Sequence, residues 1–431
     1  MVSSKLTRPI SSRARVIAVP AALAIAGLGS LRYSASAQDK TTVKLRSSTS
    51  SGAETDLYNQ IIADAAAALP DVDIQNELVT SDYITKLQTD IAAGTGPDLF
   101  FLDSLPAPNF AASGALLAID DYMAASGVSA SDFYPGLLAP FQYGGQTYGL
   151  PKDWSALGTV YNTDALTAAG VTAAPTNWDE LKAAGQALLD ATGSPRIMIT
   201  TSFDRYLAFH YAAGASVLSD DGTAITINSP EAEAALTYYY DLYNEGIATT
   251  PADAGAEWPG DGLAKGLADI VFEGNWVVPF LTTGAPDLKY AVAEMPEGPG
   301  GKATLAFTVC YGINASTSVA DAAWAVENYL VGVDGMTKWA SLGLAMPTRP
   351  ALADAWSQQF PDRAAFLAGG DYARGWAFGV GGQAFNDDVN AEIQALFAGQ
   401  QDVPATLQHM EEIAHERITL GEATPVASPT A

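Results

Sequence analysis

The chain has 431 residues, of which 48% are apolar and only 16% charged. That composition excludes a disordered chain, and the length exceeds one ordinary core and suits two domains of roughly 200 residues each. With 21 basic against 48 acidic residues, the formal charge of −27 excludes nucleic acid and anionic membranes as partners and disfavours anionic ligands unless a local Arg overrides it.

Lys5, Arg8, Arg13 and Arg15 precede an uncharged run at 16–31, followed by small residues at Ala35 and Ala37 and then Gln38. This is the layout of a secretory signal peptide at 1–37, cut after Ala37; an uncleaved N-terminal anchor is the alternative. The 16-residue run is short for a membrane span, which needs about 20 residues. Ala14 separates Arg13 from Arg15, so the twin-arginine signal is not met. Cleavage would leave 16 basic against 48 acidic residues, a net of −32. Cys310 is the only cysteine, so an internal disulfide and a thiolate metal cluster are excluded, and no cysteine near the cleavage site could carry a lipid.

Next in the chain, "TTVKLRSSTS" (41–50) predicts a strand, and the spacing of Leu57, Ile61, Ile62, Ala65 and Leu69 predicts a helix over 54–69 closed by Pro70. "DVDIQNELV" alternates like a strand, "DYITKLQTDIAAG" places Tyr83, Ile84, Leu87 and Ile91 on one helical face, and "DLFFLD" (98–103) is a buried strand. Strand and helix in alternation predict a mostly parallel α/β sheet. The alternation resumes with the strand-like "LGTVYNTD", a helix opened by a capping box of Thr176 and Asp179, a strand at 195–202, and a helix over 229–246 with Ser229 as N-cap. "FEGNWVVPF" is expected to lie in the second sheet, with Gly274 and Asn275 turning the backbone. From about 320 the chain is mainly helical, and 421–431 is a Pro/Ser/Thr tail.

No Gly-x-Ser-x-Gly, His-Glu-x-x-His or phosphate-binding loop occurs, and the three histidines, His210, His409 and His415, fit packed or solvated positions. No metal or cofactor is implied. Binding residues are better represented. Aromatic rings stand beside acids or glycines at strand ends and in loops, where α/β folds place ligands. These are Asp153, Trp154 and Ser155; Phe203, Asp204, Arg205 and Tyr206; Trp258; Trp276; and Trp376 with Phe378. A neutral sugar suits such a set, because its C–H face stacks on a ring while carboxylates accept from its hydroxyls. Trp178 and Trp324, on helical faces, are assigned to the core.

Several stretches, in order, resemble the extracellular solute-binding proteins of ABC importers, in the maltose- and oligosaccharide-binding group. They are "YITKLQTDIAAGTGPDLFFLD", "YGGQTYGLPKDWSALGTVYNTDALTAAGV", "PTNWDEL", "KGLADIVFEGNWVVPFL", "MPEGPGG" and "LGLAMPTRPAL". The resemblance implies an α/β, two-lobed periplasmic-binding-protein fold of type II, the Venus flytrap, with a ligand cleft between the lobes. It places 38–150 and 309–350 in the N-terminal lobe, and 151–308 and the helices of 351–420 in the C-terminal lobe. It implies a sugar as ligand, the transmembrane subunits of an ABC permease as partner, a monomer, no catalysis, and an exported location. By position, Trp276 matches a tryptophan that stacks on sugar, and Asp153, Trp154 and Ser155 match polar contacts after the crossover proline. Asp103 and Ser104 match a cleft position, and 203–206 match an aromatic and acidic stretch. Leu102 and Ser155 depart from the maltose-binding pattern, so maltose itself is not implied. A glycerol phosphate ligand would need Arg205 or Arg349 in the cleft. A secreted glycan-active enzyme would need two convergent carboxylates about 5–10 Å apart. A solute sensor remains a third alternative.

Overall fold

The computed structural model describes residues 40–49 and 52–420; the expected signal segment 1–37 and the tail 421–431 lie outside them. Strands β1 (Thr41–Ser47), β2 (Val72–Leu78) and β3 (Leu99–Asp103) alternate with helices Gly52–Ala68 and Tyr83–Ala92. A short hairpin of β4 (Gln142–Tyr143) and β5 (Gln146–Thr147) follows, then β6 (Gly149–Ala156) and β7 (Gly158–Asn162). Next come β8 (Ile197–Met198), β9 (Ala248–Thr249), β10 (Ile270–Glu273), β11 (Tyr290–Ala293), the long β12 (Thr304–Ile313) and β13 (Ala373–Gly375).

These strands form two large sheets. The first has the order β13-β12-β3-β1-β2 with β6 on β12, and the second the order β11-β7-β10-β8-β9. In the first sheet β1 pairs in parallel with β2 and β3, while β12 runs antiparallel to both β3 and β6. Only Leu157 separates β6 in one sheet from β7 in the other. The outgoing and returning chains are tied there: Leu157 N–H donates to the Leu305 carbonyl at 3.2 Å, and Thr304 Oγ1 donates to the Leu157 carbonyl at 2.7 Å. A third segment joins them, as Trp154 and Met346 exchange backbone hydrogen bonds at 3.2 and 3.0 Å. Among the described residues no helix is long and apolar enough to cross a membrane.

The local expectations hold with four corrections. The helix Trp178–Thr192 is capped one residue later than expected, by Asn177, whose side chain accepts from Glu180 N–H at 3.0 Å; Glu180 in turn accepts from Thr176 N–H at 2.8 Å. The expected strand at 195–202 shrinks to Ile197–Met198. Only Ile270–Glu273 of the 268–281 stretch is sheet, and Val277–Gly284 is a helix whose Pro279 falls in the first turn, where a missing N–H costs nothing. Ala373–Gly375, expected among helices of the C-terminal lobe, pairs instead with β12 in the first sheet. Ser229 caps its helix as read, accepting from Ala232 N–H at 3.2 Å, and Trp178 and Trp324 are buried.

One buried carboxyl sits against the start of β6. Glu327, in helix Ala320–Leu330, is fully buried and accepts from the Leu150 N–H of β6 at 3.1 Å. Burial pushes its carboxyl up to about 8, with the Leu150 bond pulling the other way. The folded chain therefore holds this proton more tightly than the unfolded chain, so the contribution of Glu327 is full below the ordinary carboxylate range and is lost as pH rises to about 8. Gln keeps the acceptor and removes the titration. We expect Glu327→Gln to change urea stability little at about pH 4 and to exceed the wild type by on the order of 5 kcal/mol above pH 8, the gap opening between. Parallel pH profiles for the two proteins would contradict this.

Candidate functional site

Strand β12 is buried along its ten residues except at Phe307 and Val309. Residues two apart share one face of a strand, so these two open side by side, about 7 Å apart along the chain. Their cross-strand partners share that face. Phe307 faces Ser155 of β6, and Val309 lies between Asp103 of β3 and Asp153 of β6. This open face thus has one aromatic end and one acidic end.

The aromatic end is a row of three half-buried rings. Trp276 meets Phe307 edge-on at 5.3 Å, and Trp376 meets it from the other side at 5.2 Å. Arg205 stands over this corner, 5.3 Å from the Trp276 ring centre and 5.5 Å from that of Phe307. Glu273, the last residue of β10, is fully buried beneath it. Its Oε2 accepts from Arg205 Nη2 and from Trp276 Nε1, both at 2.9 Å. Arg205 Nη1 pairs with Asp204. Burial pushes the Glu273 carboxyl up while Arg205 and the indole oppose it. Burial also works against the Arg205 charge, but Glu273 and Asp204 outweigh it and hold its pKa above the ordinary value. We read the pair as ionised, since two donors converge on one carboxylate oxygen.

Gly274 has a different role from the expected one. Its φ is not left-handed, and a Cβ there would lie 2.2 Å from the Trp276 ring, so glycine leaves the space into which the indole folds. Asn275 anchors the turn. Its N–H donates to Ser155 Oγ at 2.8 Å, and its Nδ2 donates to the carbonyls of Gly343 and Leu344 at 2.7 and 3.0 Å.

At the acidic end, β6 bulges opposite Val309 and Cys310, with Lys152 as the extra residue. Adjacent strand residues normally face opposite ways; here the bulge lets Lys152 pair with Asp153. The Lys152 ammonium also stands over the rings of Trp339 at 4.1 Å and Phe101 at 4.4 Å. Trp339 Nε1 donates to Asp153 Oδ2 at 2.6 Å. Asp103 has no side-chain hydrogen-bond or ion-pair partner among the described residues. It is open to solvent, yet surrounding protein pushes its carboxyl up, with Lys152 opposing and Asp153 reinforcing the shift.

The structure therefore brings Asp103, Asp153, Asp204, Arg205, Trp276 and Trp376 to the face on which Phe307 and Val309 open. Two further candidates frame it: Ser155 accepts from Asn275, and the buried Ser104 donates to the Trp376 carbonyl at 2.9 Å. Six are corrected. Trp154 is 1% exposed and its indole donates to the Pro347 carbonyl at 2.9 Å, because the residue next to Asp153 points through to the other face. Phe203 and Phe378 pack on each other and on Phe385 in the second core. Tyr206 is enclosed beside His210, whose pKa burial lowers to about 4, leaving it neutral near pH 7. Trp258 packs edge-on against Phe280 at 4.8 Å, in a cluster that excludes Phe307. Arg349 is buried, donating to the Val331 carbonyl at 2.9 Å and lying 3.4 Å from Asp132. Phe307, Glu273, Lys152 and Trp339 were not anticipated. The signals available were an acid ending an apolar strand in "IVFEGNW" and a Lys-Asp pair where alternation should separate them.

The sequence profile of the family described as bacterial extracellular solute-binding protein matches residues 50–337. A Brucella abortus protein described as a binding protein is 27% identical over 395 residues, 89% of this chain and 95% of its own length. An ABC substrate-binding protein of Listeria monocytogenes, solved in complex with cycloalternan, superposes with a TM-score of 0.77 at 24% identity, over 88% of this chain and 99% of that one. The cyclic alpha-maltosyl-1,6-maltose binding protein of Arthrobacter globiformis gives 0.77 at 24%, over 89% and 100%. Both are two-lobed binding proteins, and the fold of this chain is that one.

A methyl at position 274 would collide with the indole, and overpacking of this kind costs about 1–3 kcal/mol. We expect Gly274→Ala to lower urea stability by about 2 kcal/mol in the wild-type background and by under about 0.5 kcal/mol in a Trp276→Ala background. Equal losses in both backgrounds would show that the ring does not cover Gly274.

Proposed function

Because the chain belongs to the family of bacterial extracellular solute-binding proteins, we propose that it is the substrate-binding subunit of an ABC importer for a neutral sugar. It would be exported through the 1–37 segment and would present its closed, sugar-loaded form to the membrane permease. The carrying observation is the single cleft face on which three half-buried rings adjoin two carboxylates. Rings offer stacking area to the C–H face of a sugar, and carboxylates accept from its hydroxyls without any group having to ionise. Relatives of the same fold are described as binding cycloalternan and cyclic alpha-maltosyl-1,6-maltose, which supports a saccharide here.

The charges argue against an anionic ligand. Arg349 is committed within the first lobe, Lys152 is paired with Asp153, and both terminal nitrogens of Arg205 meet carboxylates. A glycerol phosphate would face more negative than positive charge. The Asp103 and Asp153 pair across Val309 is the one feature a glycan-active enzyme would share. Ion pairing of Asp153 and the family assignment favour binding without turnover.

A thermal-shift screen of the mature protein tests this reading. A neutral sugar at 100 times its dissociation constant should add about 2.7 kcal/mol, and the same sugar should be recovered unchanged after incubation. Trp276→Ala should remove the shift while leaving a cooperative unfolding transition. Stabilisation by glycerol phosphate alone would contradict the sugar reading, and consumption of the sugar would contradict the absence of catalysis.

A further inference from the structure

This inference rests on the sugar-binding reading above and concerns what makes the aromatic end select a neutral ligand. Glu273 is 0% exposed, so it does not present a surface to the cleft. A buried carboxylate is costly unless paired and hydrogen-bonded, and all of its partners belong to the cleft wall. One oxygen, Oε2, holds both the Trp276 indole and the Arg205 guanidinium. Asp204 engages the other terminal nitrogen of Arg205. The guanidinium is thus held over the Trp276 and Phe307 rings with each terminal nitrogen already paired to a carboxylate, so its charge is compensated by the protein. The three groups together carry one net negative charge. We propose that Glu273 is a positioning and specificity-determining residue. By gripping Arg205 and Trp276 through one oxygen it sets the indole face for a neutral ring and withholds the guanidinium from anions.

Without the Glu273 charge, the trio becomes neutral and Arg205 Nη2 loses its charged partner. A phosphate monoester or a similar tetrahedral oxyanion would then have a cation to bind in a partly desolvated corner, where such a contact is strong. Glutamine at 273 offers the indole and the guanidinium only a neutral oxygen, which holds the ring less firmly and cannot neutralise the guanidinium.

The experiment compares wild type, Glu273→Gln and Asp204→Asn in two measurements. Calorimetric titrations use glycerol phosphate and a panel of maltose, maltotriose, trehalose and glucose. Fluorine NMR uses fluorotryptophan-labelled, ligand-free protein, with the Trp276 signal identified by its loss in Trp276→Phe. We expect Glu273→Gln to gain at least about tenfold in affinity for glycerol phosphate over wild type, to lose about tenfold for the neutral sugar, and to shift the Trp276 signal. Asp204→Asn, at a more open position, should gain anion affinity in the same direction, and decides the charge question if Glu273→Gln does not fold. An unshifted Trp276 signal in a folded Glu273→Gln, or anion binding as weak as wild type in the folded variants, overturns the proposal. A wild-type protein that binds none of the sugars counts against the sugar reading instead. The anion titration and the fluorine signal need no sugar and judge Glu273 separately.

Discussion

Strand β12 opens to the cleft at Phe307 and Val309, and the arrangement of the site follows from that restriction. The strand is enclosed by β3 and β6 on its edges and by packed residues on both faces elsewhere. Pleating forces its two open side chains onto one face, and pairing register forces Asp103, Asp153 and Ser155 onto the same face. The spacing of rings and carboxylates is therefore set by backbone geometry and not by flexible side chains. Two strand residues span about 7 Å, a length comparable with a sugar ring. Because β12 also lies beside the crossing at Leu157, the element that displays the site is hydrogen-bonded to the segments a hinge rotation would move.

Charge then decides what the face accepts. A chain with 48 acidic against 21 basic residues repels anions at long range, but short-range binding depends on which cations are free. At both ends of the cleft the nearest cation is spent on protein carboxylates, Lys152 on Asp153 and Arg205 on Asp204 and Glu273. Each also lies over aromatic rings, where a weakly hydrated guanidinium or a desolvated ammonium gains from the ring quadrupole. The cations thus act as walls that orient rings and acids. Asp103 is open to solvent and has no side-chain hydrogen-bond or ion-pair partner among the described residues.

Much of this was legible in the sequence, and the rest was lost for identifiable reasons. The strand and helix alternation of 41–103 and the Ser229 cap are local patterns and survive in the structure. Trp276 was singled out for its flanking glycine, and its indole does lie over that glycine. Phe203 and Tyr206 were misjudged although the corrective pattern was present. Residues 203, 206, 207 and 210 fall at i, i+3, i+4 and i+7 and are buried in helix Phe203–Ala212, of which only Asp204 and Arg205 are not buried. Trp154 could have been assigned inward by alternation from Asp153, but the bulge at Lys152 hides the register. Phe307 carried no local signal at all. Its exposure depends on what packs against that face of the sheet, which is a tertiary fact.

The central claim is that the ligand lies along the open face of β12, between the Trp276–Phe307–Trp376 row and the Asp103 carboxylate. A crystal structure of the mature protein with its best-binding sugar tests it directly. The account predicts a sugar ring in van der Waals contact with Trp276 or Trp376, with a hydroxyl within hydrogen-bond distance of Asp103 and no ligand atom bound to Arg205 Nη1 or Nη2. A sugar seated elsewhere, or one held by the terminal nitrogens of Arg205, would contradict it.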